Sequence, residues 1–135
     1  MRVCLENTKH VVLLGYSLPQ DDVIYRAMLS ACRARSRTPV YCSVVVGTRG
    51  PDGWLTGDAM MQFVDAIRHD NDFGADTIQA AVDIFGRDRV RAYTAGIPRV
   101  FGLPPCRERI LNLLYPVGVE IDCFAPNGVC RELRV

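Results

Sequence analysis

Gly15, Tyr16 and Ser17 follow directly on the apolar run His10-Val11-Val12-Leu13-Leu14 and lead into Pro19, Asp21 and Asp22. A glycine at the end of a strand lets a ligand approach the backbone. A serine two residues on supplies a hydroxyl that can reach a ribose or phosphate oxygen. Asp21 and Asp22, however, put negative charge at the start of the following helix, where a phosphate would seek the positive end of the dipole. Contact with a nucleotide is therefore expected through Gly15, Tyr16 and Ser17, on ribose or at the edge of a diphosphate. A tight turn whose aspartates only cap a helix fits the same residues.

Those residues need a frame. An apolar run without alternation is the pattern of a strand buried on both faces inside a parallel sheet. In the next segment Val23, Ile24, Ala27, Met28 and Ala31 recur at helical spacing, with Arg26, Arg33 and Arg35 opposite. Thr38-Pro39 ends that helix, and Val40 to Gly47 reads as a second buried strand. Strand, helix and strand make one right-handed βαβ unit. Thr48 to Gly57 reads as a loop at the carboxyl end of the second strand, where α/β folds place ligands. Trp54 in it reads as a hydrophobic plug, with base stacking as the alternative.

Helices are expected from Asp58 to His69, with Met60, Met61, Val64 and Ile67 inward, and from Asp76 to Phe85, with a turn over Asn71 to Gly74 between them. Arg89-Val90-Arg91-Ala92-Tyr93 is short and alternates, which predicts an edge or outer strand. Gly96-Ile97-Pro98 turns the chain, and a last helix runs from Arg107 to Leu114 behind Pro104-Pro105. One more strand is expected over Val119 to Phe124, then a turn at Pro126-Asn127-Gly128. The whole reads as one three-layer α/β domain over residues 1–135, a mainly parallel sheet flanked by helices, with a ligand crevice at the ends of the first two strands.

Other constellations point to structure. His10 and His69 stand in no histidine motif. Arg87, Arg89, Arg91 and Arg99 read as a solvated face, interleaved as they are with Asp83 and Asp88, with phosphate binding as the alternative. Asp65, Asp70, Asp72 and Asp76 do not match a calcium loop and read as caps and surface; no metal site is expected. Ser17 is no nucleophile elbow, because Pro19 stands where that motif needs glycine. Cys4, Cys32, Cys42, Cys106, Cys123 and Cys130 lack zinc-site spacing and read as reduced thiols.

Composition narrows the partners. With 16 Lys and Arg against 15 Asp and Glu, the net charge of +1 gives no general attraction to nucleic acid or to a membrane surface. No apolar run is long enough to span a bilayer, and the first residues lack a secretory segment, so a cytoplasmic location is expected.

The string Val11-Val12-Leu13-Leu14-Gly15-Tyr16-Ser17-Leu18-Pro19-Gln20-Asp21-Asp22 resembles a hallmark of the prokaryotic sirtuin-like family. Phe85 to Ile97 looks, less distinctively, like the tail of such domains. The resemblance implies a partial Rossmann-like fold and a ligand of the NAD or ADP-ribose type. It also implies Gly15 and Ser17 as dinucleotide contacts, and Gly47 and Thr48 as contacts on the adenosine side. The family's G-A-G-x-S turn, Asn-Asp pair and histidine base do not precede Gly15. The resemblance therefore implies the C-terminal part of a larger domain and leaves catalytic residues and enzyme activity open. Intact relatives are implied to hydrolyse NAD, often in defence. A half sheet with an open edge would require the missing half or self-association, and a non-catalytic, self-associating module is the alternative function.

Overall fold

Tyr41-Cys42-Ser43-Val44-Val45 alternates two kinds of side chain across one backbone, and both kinds are buried beyond Tyr41. Such a strand needs cover on each face. In the computed structural model, which describes residues 10–15, 23–36, 39–48, 50–69 and 73–114, this strand (β2, Tyr41–Val45) lies inside a four-stranded sheet. Its neighbours are β1 (His10–Leu14) and β4 (Val90–Tyr93), both parallel to it; β3 (Trp54–Thr56) pairs antiparallel with β4. The strand order is β1-β2-β4-β3.

Among the described residues there are four α-helices: α1 (Val23–Arg35), α2 (Gly57–Arg68), α3 (Phe73–Phe85) and α4 (Arg107–Leu114). Cys42, Val44, Val90 and Ala92 project from one face into a core with Cys32 of α1, Met60 and Val64 of α2, and Ile78, Ala81 and Phe85 of α3. On the other face Val45, Trp54 and Tyr93 pack with Val100 and with Leu113 of α4. Helices thus cover both faces of a mainly parallel sheet, as expected for an α/β chain. Strands β1, β2 and β4 are added in one direction, with both crossovers on one face, as a constant crossover hand requires. From β3, at the edge among the described strands, the chain steps back to place β4 between β2 and β3.

Several expectations are corrected. β1 is only partly buried and ends the sheet among the described residues, where its apolar run predicted burial on both faces. β4 is the reverse: all four residues are buried and it has a neighbour on each side. Arg91 is fully buried, contrary to the solvated face read from its charge. Residues 54–56 form a strand where a loop was expected, and Trp54 within it is a buried plug. In α1 Ala27 is exposed, and Cys32 carries the deepest contact. α3 begins at Phe73, inside the expected turn. The expected strand over Val119 to Phe124, the turn at Pro126-Asn127-Gly128, Asp70, Asp72, Cys4, Cys123 and Cys130 lie outside the described residues. No helix among those described is long and apolar enough to cross a membrane.

Candidate functional site

Because β1, β2 and β4 are parallel, their carboxyl ends share one edge of the sheet, and each is followed within three residues by a glycine. The Gly15 amide donates to the Val45 carbonyl at 3.0 Å, with φ +64°, a conformation that disfavours side chains. Gly47 forms an isolated bridge with Ala95, and a Cβ built on it meets nothing within 4 Å. Gly96 has φ +80° and lies so close that its own Cβ would come 3.2 Å from the Gly47 Cα. Three backbones therefore meet at one place. Gly15 and Gly47 are exposed, and the Ile97 side chain reaches over the first of them.

The segment after Gly47 is tied down on the end of β4. The Thr94 carbonyl accepts from the Thr48 amide at 3.1 Å, the Thr48 hydroxyl at 2.9 Å and the Gly50 amide at 3.3 Å. A Cβ at Gly50 would sit 1.8 Å from the Thr94 hydroxyl oxygen, so only glycine allows this approach. That carries the chain to Asp52, beside the carboxyl end of β4. Its carboxylate accepts from Arg109 Nη1 at 2.9 Å and Nη2 at 3.2 Å, and from the Tyr93 hydroxyl. Arg109 Nη1 also donates to the Arg99 carbonyl at 2.9 Å. The Arg109 and Tyr93 hydrogen bonds hold the Asp52 carboxyl below its usual range. Burial first, then the hydrogen bond to Asp52 and the charge of its carboxylate, pushes the Tyr93 phenol up to about 12.

These residues border an open cleft of about 320 Å³ lined by Asp52, Arg99, Gly102, Cys106 and Arg109, with Leu103 and Pro104 as its apolar part. Cys106 stands at the start of α4; its amide donates to the Phe101 carbonyl at 2.8 Å and its thiol to the Glu108 carboxylate at 2.8 Å. Cys32, Cys42 and Cys106 are free thiols, as expected; the first two are buried, and burial pushes the Cys42 thiol strongly up. No cluster of metal-ligating side chains occurs among the described residues.

On the α4 face a buried polar row holds the helix that carries the cleft. The register sets Ser43, Arg91 and Thr56 side by side across three strands. Arg91 Nε donates to Ser43 Oγ at 2.8 Å, Nη1 to Asn112 Oδ1 at 2.5 Å and Nη2 to the Asn112 carbonyl at 2.6 Å. The guanidinium also lies 3.8 Å from the centroid of the Trp54 ring. Burial lowers its pKa to about 9, so it remains charged at neutral pH. Asn112 belongs to α4, and Arg91 is thus a clamp between sheet and helix.

His10 extends this row. Its Nε2 is 2.7 Å from Ser43 Oγ. Since Arg91 already donates to that oxygen, the serine proton is directed to a neutral ring. Burial first, then the Arg91 charge, lowers the His10 pKa to about 4, against the opposing hydrogen bond to the Leu114 backbone. The unfolded ring takes a proton near pH 6.5 and the folded ring only near 4, so stability falls as pH drops through that window and is intact above it. Between pH 7 and 4.5 the native chain is expected to lose about 2 kcal/mol more than His10→Gln in urea unfolding. Equal losses in the two proteins would refute this. His10 begins β1, about 13 Å from the Leu14 end, and so lies away from the glycine edge.

Of the residues predicted from sequence, Gly15 and Gly47 come together at the carboxyl edge. Thr48 is beside them, with its hydroxyl turned inward to the Thr94 carbonyl. Tyr16 and Ser17 lie outside the described residues. Gly96, Asp52, Arg109 and Cys106 escape a sequence reading, although Gly96 follows a strand as Gly15 does. His69 is exposed at the end of α2, and Asp65 pairs on the surface with Arg68 at 3.8 Å. Comparison with protein-family models, with curated proteins and with solved structures gives no match to this chain.

Proposed function

We propose that the chain binds a nucleotide of the NAD or ADP-ribose type at the carboxyl edge of its parallel strands, as part of a Rossmann-like, sirtuin-like domain. The observation that carries this reading is the convergence of Gly15, Gly47 and Gly96, with open space over Gly47. Backbone without side chains at the carboxyl ends of parallel strands lets a sugar-phosphate come within hydrogen-bonding distance of main-chain groups. The resemblance of Val11 to Asp22 to the sirtuin-like turn supports the same ligand class. In this reading Gly15, Tyr16 and Ser17 face the ribose and diphosphate, and Gly47 and Thr48 the adenosine side. The location is cytoplasmic.

Gly47 supplies the test, because its backbone tolerates a side chain and its Cβ direction is empty. Calorimetric titration with ADP-ribose and NAD is expected to give saturable heat. Gly47→Val should keep the wild-type melting temperature and bind at least tenfold more weakly. No heat at millimolar ligand with folded protein overturns the reading, as does unchanged affinity in Gly47→Val.

A second reading, a self-associating module without nucleotide, draws on Leu14 and Ile97, 41% and 48% exposed at this same edge. It requires a dimer in light scattering together with indifference to ADP-ribose.

A further inference from the structure

We infer that the cleft bounded by Asp52, Arg99, Cys106 and Arg109 seats a phosphoryl group of the ligand. This deepens the nucleotide reading and rests on it for the remainder of the molecule. The charges decide the class of ligand. Asp52 engages Arg109 through both oxygens, which fixes that guanidinium and balances its charge. Arg99 lines the same cleft, and its guanidinium makes no hydrogen bond or ion pair among the described residues. The lining is thus left with one excess positive charge on an unoccupied planar fork, which suits an oxyanion and repels a metal cation. The cleft, at about 320 Å³, is larger than a phosphoryl group alone requires, and Leu103 and Pro104 give the remainder an apolar wall.

Position ties the cleft to the glycine edge. Arg99 is three residues beyond Gly96, so their backbones are no more than about 11 Å apart. The Val100 amide donates back to the Gly96 carbonyl at 3.2 Å and the Gly102 amide to the Arg99 carbonyl at 2.9 Å, which turns the chain tightly between the two places. Arg109 meets the same Arg99 carbonyl from α4. One nucleotide can therefore touch the glycine backbones and present its phosphoryl oxygens to Arg99.

The test uses the full chain with inorganic phosphate, AMP and adenosine, and reads both calorimetric affinity and alkylation of Cys106 followed by peptide mapping. Phosphate is expected to slow Cys106 alkylation at least threefold, and AMP to bind at least tenfold more tightly than adenosine. Arg99→Ala, which removes the charge that Asp52 feels but no side-chain hydrogen bond or salt bridge among the described residues, should abolish both effects without moving the melting temperature, and Arg99→Lys should restore part of them. Equal binding of AMP and adenosine, or phosphate protection that persists in Arg99→Ala, overturns the inference. ADP-ribose binding lost in Gly47→Val but untouched by Arg99→Ala would sink this inference and spare the nucleotide reading. Phosphate protection through Arg99, with ADP-ribose indifferent to Gly47→Val, would do the opposite.

Discussion

Replacing Arg91 with alanine is expected to destabilise the chain by about 3 to 5 kcal/mol, the range for breaking a buried charged network. The side chain is fully buried, donates to Ser43 and twice to Asn112, and covers the Trp54 ring. Alanine leaves a void and strips hydrogen bonds from a hydroxyl and an amide that are themselves buried. For a domain of this size the loss corresponds to a fall of roughly 10 to 20 °C in melting temperature. Arg91→Met separates the causes, since it fills the volume without the charge. If charge desolvation offsets most of the hydrogen bonding, methionine stays within about 1 to 2 kcal/mol of wild type. The effect should reach the cleft, because Asn112 and Arg109 share α4. Alkylation of Cys106 is therefore expected to quicken in Arg91→Ala under native conditions. A loss below about 1 kcal/mol in urea unfolding would contradict the clamp.

The second large effect is expected at Trp54, whose truncation to alanine should cost about 3 to 5 kcal/mol. The ring is 8% exposed, meets Tyr93 edge-to-face with centroids 5.5 Å apart, and carries Arg91 on its face. The ring–guanidinium contact is lost in either single variant, so the effects should not add. The double variant Arg91→Met with Trp54→Leu is expected to fall short of the summed losses by about 1 to 2 kcal/mol. Additivity would mean that ring and guanidinium do not support each other. Circular dichroism is the right readout, because the chain has one tryptophan and Trp54→Leu removes the fluorescence signal.

The βαβ start of the chain was legible because its signals are local. A β-branched run, an amphipathic helix and a second apolar run stand in order, and α4 begins and ends where Pro105 and the apolar spacing suggest. β3 was not legible: three residues within a glycine-rich stretch are too few to display a period of two, and its pairing with β4 is a tertiary choice. The first turn of α3 hides behind Gly74 and the Asn71-Asp72 pair, which imitate a turn. The reversal at β4 has a sharper cause. Arginines alternating along a strand look solvated, and Arg91 is buried because its partners lie 48 and 21 residues away, at Ser43 and Asn112. Nothing near Arg91 in sequence carries that information.

The candidate site divides in the same way. Gly15 and Gly47 are visible because each directly follows an apolar run, where the chain must turn and the backbone lies bare. Their meeting with Gly96 depends on the register of three strands. The cleft depends on Asp52 reaching Arg109 across 57 positions. Thr48 illustrates the limit of residue type alone: a hydroxyl beside a strand end looks free to bind, and here it fastens its own loop.

The most direct measurement is a titration of the isotope-labelled chain with ADP-ribose, followed through backbone amide resonances. The amides of Gly15, Gly47 and Gly96 are expected to shift together and saturate with one dissociation constant, while those of β2 and β4 next to Arg91 stay in place. Saturable shifts confined to other surfaces, or three unmoved glycine amides at millimolar ligand, would contradict the nucleotide reading.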